Sequence, residues 1–148
     1  RPASLRGALQ MQLSMVTAKL PESTHKETVM IIRDADEVPA RQISADGARG
    51  LLFRMLIGEE QGAENFYMRR MDLAPGGCTP HHAHPWEHEI YVLAGAGEVL
   101  CQSDDGGEQA RPIRPGQVLY MPPDEKHQFR NTGDDVLKFL CLVPAHAS

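Results

Sequence analysis

The chain has no long hydrophobic run. Its longest apolar stretches, Val118–Pro123 and Phe139–Pro144, are far too short to cross a bilayer as helices. It also lacks a basic excess. Fifteen Lys and Arg stand against twenty Asp and Glu, for a formal net charge of -5. No Lys/Arg cluster offsets this balance, which argues against nucleic acid as a partner, because binding phosphates needs a basic surface. Cysteines are few: Cys78, Cys101 and Cys141 are odd in number and form no CxxC pair. A chain of 148 residues has core enough to fold without disulfides, so reduced thiols in a cytoplasmic protein are expected. Cys101 reads as a small buried hydrophobe. No internal repeat, low-complexity tract or helix-turn-helix segment is present, which speaks against a repeat scaffold and a DNA-linked regulator.

What the chain does contain falls into two parts. Over residues 1–29, Leu5, Leu9, Leu13, Val16 and Leu20 recur at helical intervals with polar residues between. Gln10, Gln12 and Ser14 interrupt any continuous apolar core, so the stretch is a poor secretory signal. It reads as an N-terminal extension, a short helix or an arm, with Met30 as an alternative start. Its apolar stripe needs a surface to cover it, and a second copy of the chain is the expected partner in a homodimer. Residues 30–148 read as a single β-domain. Candidate strands are Met30–Ile32, Leu51–Ile57, Phe66–Leu73, Glu89–Ala94, Gly97–Cys101, Val118–Met121, His127–Asn131 and Val136–Val143. Gly58, Pro75-Gly76-Gly77, Gly95, Asp105-Gly106-Gly107, Pro115-Gly116, Pro122-Pro123 and Gly133-Asp134 punctuate them. Many short strands and little helix predict an all-β sandwich or barrel, and a jelly-roll-like barrel suits the length.

The chemistry concentrates in Pro75–Gly97, which reads PGGCTPHHAHPWEHEIYVLAGAG. His82 and His84 are two apart, so a strand would point both imidazoles to one face. His88 keeps that parity, and Pro85-Trp86 marks a bend that would bring it to the same point from a neighbouring strand. A lone histidine is most often a hydrogen-bonded core residue or an idle surface one, and His25, His81 and His146 take that reading. Three same-parity histidines within seven residues are hard to explain by packing, since buried imidazoles without partners are costly. Metal ligation explains them. A second stretch, GQVLYMPPDEKHQFRN over Gly116–Asn131, adds His127 at the start of a strand that places Phe129 and Asn131 on the same face.

At this point the residues resemble the cupin superfamily. Gly76, His82, His84 and Gly95 match its first motif, with His88 standing where the glutamate is usual. Gly116, Pro122, His127 and Asn131 match its second, with Asp124 in place of a glycine. The sequence HAHPWEHE is similar to that of small single-domain bacterial cupins in which four histidines replace three histidines and a glutamate. The resemblance implies a jelly-roll barrel with one divalent metal on His82, His84, His88 and His127, with Mn or Fe as the working ions. Ligand softness alone admits Zn, Ni and Cu as well.

Strand parity supplies a candidate pocket. Arg69 shares a face with Tyr67, Met71 and Leu73, and Phe139 and Cys141 share one in the last strand. Together with Phe129 these are the expected walls, and Arg69 is a candidate for holding a substrate carboxylate or enolate, or else for a salt bridge in the barrel wall. Cys141 reads first as core packing. A redox-capable site inside an apolar barrel points to a metal-dependent oxidoreductase, oxygenase-like, acting on a small molecule. The alternative is a non-catalytic module that binds metal or a small ligand. Fold cannot choose between them.

Overall fold

Strand-forming and turn-forming residues alternate from residue 41 onward, and the structure follows them. A computed structural model of the chain describes residues 29–147. The amphipathic stripe of 1–29 therefore lies outside the described residues except for Val29. Nine strands run β1 (Arg41–Ile43), β2 (Arg49–Ile57), β3 (Phe66–Cys78), β4 (His88–Ala94), β5 (Gly97–Gln102), β6 (Glu108–Ile113), β7 (Val118–Met121), β8 (Gln128–Asn131) and β9 (Leu137–Pro144). Two short 3-10 turns are the only helical elements among the described residues, so the all-β expectation holds. No described helix is long and apolar enough to cross a membrane.

All pairing is antiparallel. The order is β6-β5-β8-β3-β9-β4-β7, with β2 joining β3 and β1 joining β2. The sheet curls because β3, besides pairing with β2, divides its other edge between two strands: Phe66–Leu73 pairs with β9, whereas Cys78 pairs with Arg130 of β8. Period-two burial is cleanest in β9, where Leu137, Phe139, Cys141 and Val143 are buried and the residues between are half-buried. Their neighbours Leu73, Ile90, Val92, Val99, Met121 and Phe129 complete the core on the concave face.

Four local expectations change. Met30–Ile32 is not a strand: it is exposed and pairs with no described strand. Pro75-Gly76-Gly77 is not a break: β3 runs through it, with Gly76 at a φ of 73° and the register against β2 shifted nearby. β6 goes unnoticed in the sequence because it is a polar edge strand containing Pro112. It nevertheless forms the hairpin that Asp105-Gly106 announces. β1, with three residues, is too short for a periodic signal.

Polar groups tie the barrel from both sides. On the convex face Asp72 accepts from Arg54 and Arg70, and Arg70 also reaches Asp36, so residues 33–38 strap across β2 and β3. Inside, Asn131 donates from Nδ2 to the carbonyls of Leu73 and Asp135 at 2.8 Å, and its Oδ1 accepts from Gly133 N–H at 2.9 Å. Asn131 is 3% exposed. Replacing Asn131 with Ala would orphan these backbone groups, and a loss of roughly 2–4 kcal/mol is expected in urea unfolding.

Candidate metal centre

Three backbone hydrogen bonds and one to a side chain create the centre. After β3 ends, Thr79 N–H donates to the Phe129 carbonyl and Phe129 N–H donates to Thr79 Oγ1. Three residues on, His82 and His127 form an isolated bridge: His82 N–H reaches the His127 carbonyl at 3.2 Å, and the reverse bond is 2.9 Å. The segment carrying His82 and His84 is thus irregular chain pinned to the start of β8, not the strand that alternation suggests. His84 is held in turn by its own carbonyl, which accepts from Asp124 N–H at 2.8 Å. Asp124 sits at a φ of 64°, a left-handed conformation that Asp tolerates better than most residues. That explains how an aspartate stands where the resembling motif has glycine.

The donor nitrogens of His82, His84 and His127 lie within 4.8 Å of one another. His84 and His127 are buried and His82 is exposed. His88, the first residue of β4, stands beside them, its ring stacked on His84 at 4.2 Å between centroids and 7° between planes. The Nδ1 atoms are occupied: His84 Nδ1 donates to the Trp86 carbonyl and His127 Nδ1 to the Glu125 carbonyl, each at 2.8 Å. A carbonyl can only accept, so both rings carry the proton on Nδ1 and present a free lone pair at Nε2. The Nε2 atoms of His84 and His88 are buried with no hydrogen-bond partner. An orphaned Nε2 lone pair on His84, close to the donor nitrogens of His82 and His127, is what a cation would satisfy, so these residues fit a metal with His88 beside them.

Electrostatics agree. Burial, followed by the neighbouring imidazoles, lowers the pKa of His82, His84 and His88, and His88 falls to about 2. Burial also lowers His127. Neutral imidazole is the ligating form.

The candidate wall residues come together as well. A cavity of about 130 Å³ is lined by the four histidines, Arg69, Phe129, Phe139 and Cys141, with Trp86 among the other residues around it. Phe129 and Phe139 pack at 4.6 Å between centroids. Arg69 Nη2 donates to Cys141 Sγ at 3.1 Å, and that sulfur lies 3.2 Å from His88 Nδ1. Burial pushes the Cys141 thiol up, so it stays protonated near neutrality. Glu89 points outward. His81 also faces away, 2.8 Å from Glu108. His146 is exposed, and His25 lies outside the described residues. A larger groove of about 680 Å³ between β5, β6 and β7 holds no histidine. Trp86, stacked on His84 at 4.7 Å, is a wall residue whose role alternation along a strand could not supply.

Comparisons with known proteins place this geometry. Residues 69–143 match the cupin domain family (Cupin_2). Over 100 residues the chain is 37% identical to protein SchB of Streptomyces halstedii, covering 67% of this chain and 66% of that protein, just under two thirds of its length. It is 31% identical over 119 residues to an oxalate-binding protein of Thermotoga maritima, covering 78% of this chain and 94% of the other. Among solved structures, the polyketide cyclase RemF from Streptomyces resistomycificus aligns with a TM-score of 0.72 at 32% identity, covering 79% of this chain and 80% of its own.

The depressed histidine pKa values set a pH dependence for the metal-free protein. Unfolded histidine takes up a proton near 6.5, whereas the folded site refuses it. The unfolded chain then binds more protons, so stability is full above about pH 6.5 and falls as pH is lowered toward the folded values. Each such proton contributes a slope of about 1.4 kcal/mol per pH unit. Urea unfolding of metal-free protein between pH 7.5 and 5 should show this decline, and His88→Gln should flatten it.

Proposed function

The chain belongs to the cupin family, and from that membership we propose that it holds one divalent metal on His82, His84, His88 and His127 and uses it as an oxygenase-like oxidoreductase. The observation that carries this reading is the pair of buried, partnerless Nε2 atoms of His84 and His88 beside His82 and His127. His84 and His88, with rings stacked on each other, would hold the ion together with His82 and His127. When bound, a divalent ion in an all-imidazole set keeps its full charge, acts as a Lewis acid and lowers the pKa of attached water. The chain's own residues supply the rest. Phe129, Phe139 and Ile90 exclude water from the inner wall, Trp86 covers His84, and Arg69 is the cationic group facing the substrate. Mn or Fe is the proposed working metal.

A second reading, binding without turnover, draws on the similarity to the Thermotoga oxalate-binding protein. The likeness to RemF adds enolisable polyketide-like compounds to the substrates worth trying. Anaerobic reconstitution with Fe(II) or Mn(II), followed by O2 uptake against diketones, polyphenols, styrenes and such polyketides, separates the two readings. Uptake well above that of free metal supports the oxygenase. Tight binding without uptake supports the binding module.

The ligand assignment makes its own prediction. Losing a residue that merely orients a ligand costs about 10–100-fold in metal affinity. His84→Ala and His127→Ala should therefore weaken binding by at least about 100-fold in competition titrations, while His81→Ala leaves it unchanged. Chelation should lower the melting temperature of the loaded protein.

We also propose a homodimer. Val29–Ile32 is unpaired and 46–87% exposed. β7 is a sheet edge with Val118 and Tyr120 exposed, next to exposed Tyr91 and Leu93 on β4. One chain therefore carries both an apolar arm and an apolar edge, and a second copy would cover the two together. Sedimentation should give the dimer mass, with Val118→Lys shifting it to monomer. A monomeric unsubstituted protein would sink the idea.

A further inference from the structure

The other arginines held in the sheet's polar network, Arg54 and Arg70, meet carboxylates, as does the exposed Arg130. Arg54 and Arg70 share Asp72, Arg70 also meets Asp36, and Arg130 meets Glu98. Arg69 does not. Its side chain lines the histidine cavity. Among the described residues no carboxylate lies within 4.0 Å of its guanidinium nitrogens. Its Nε is buried and bonds to nothing, and Nη2 donates to the sulfur of Cys141, its cross-strand neighbour and a weak acceptor. Arg69 is half-buried, and a guanidinium whose Nε is out of water with neither acceptor nor counter-ion is costly. A divalent cation on the histidines would add to the positive charge, so the cavity would be cationic at both ends with apolar walls between.

We infer that Arg69 is the anion-binding residue of this cavity, holding one oxygen of a small carboxylate whose second oxygen, in the α or β position, reaches the histidine-bound metal. The inference rests on the metal reading above and names its substrate class: compact dicarboxylates and oxo acids. The space beside the histidines is small, about 130 Å³, so the part of a ligand that reaches the metal is compact. Charge argues for an anionic oxygen, since the unpartnered Nε–H makes its strongest hydrogen bond to a charged acceptor. The apolar wall of Phe129 and Phe139 leaves the rest of the ligand nothing polar to bond, which disfavours polyhydroxylated molecules.

The chain contains a single tryptophan, and Trp86 stacks on His84, so its fluorescence reports the cavity directly. Zinc, which is redox-silent, is titrated first into the unsubstituted protein and into Arg69→Gln, Arg69→Met and Arg69→Lys. Oxalate and pyruvate follow, with oxamide and butanedione as neutral counterparts. Unchanged zinc binding in all four proteins is expected. Oxalate and pyruvate should bind the loaded protein at least tenfold more tightly than their neutral counterparts. Arg69→Gln and Arg69→Met should weaken the anions about 10–100-fold, the range for a charge-assisted hydrogen bond. Arg69→Lys should fall between, keeping the charge without the fork. Metal-free Arg69→Met should melt at or above the unsubstituted protein, since it removes an unpaired buried charge. Failure of the unsubstituted protein to take up zinc would overturn the metal reading. Normal zinc uptake with equal oxalate affinity in the Arg69 variants would overturn this inference alone, as would a melting temperature several degrees lower in Arg69→Met, which would mark Arg69 as structural.

Discussion

His82 and His127 exchange two backbone hydrogen bonds across the mouth of the sheet, and the candidate centre hangs on that exchange. The two residues come from segments 45 positions apart, and neither lies within a continuous strand. Without the bridge, the loop from Thr79 to Glu87 would have only its ends anchored, and the imidazoles would have no fixed mutual distance. With it, the Thr79–Phe129 bonds and the Asp124–His84 bond extend the ladder past the end of β3. The donor atoms are then held together by main chain, which is stiffer than side-chain packing.

That architecture explains which features the sequence made legible. The histidines stood out because several imidazoles of one parity have no packing rationale, and β-barrel interiors seldom bury unpartnered polar rings. Arg69 and Cys141 were placed on the inner face by period two alone, since both lie in long, regular strands. The reasoning failed where the chain leaves that period. His82 and His84 share a face through a bridge and a turn rather than through a strand. β6 is too polar to read as β. The buried network of Arg54, Arg70 and Asp72 is opposite in parity to the core and looks like ordinary solvated charge until residues 33–38 cover it. Long-range pairing decides these cases, and no local window contains it.

The same pairing sets the electrostatics. Two strands and two loop segments deliver four imidazoles and a guanidinium to one apolar volume, with Glu89 turned outward by alternation. Protonating any of the histidines would set another positive charge against Arg69, and Arg69 itself helps to lower His82, His84 and His88. The cavity thus keeps its histidines neutral and its arginine charged at the same pH. These are the states required to ligate a cation and attract an anion together.

His88 differs from its neighbours in what orients it. His84 and His127 anchor Nδ1 on backbone carbonyls at 2.8 Å, which fixes both tautomer and ring angle. His88 has only the Cys141 sulfur at 3.2 Å. Sulfur is the weaker acceptor, and a thiol can also donate, so it holds neither the proton nor the ring of His88 as firmly. A ring held loosely settles where packing is best, on the face of His84, and this accounts for three histidine nitrogens clustering while the fourth stands beside them. Where the resembling motif has glutamate, this chain has an imidazole whose orientation depends on a thiol that also touches Arg69. The fourth histidine and Arg69 therefore meet at one sulfur, whose contact with each is weak enough to leave the ring and the guanidinium their own positions.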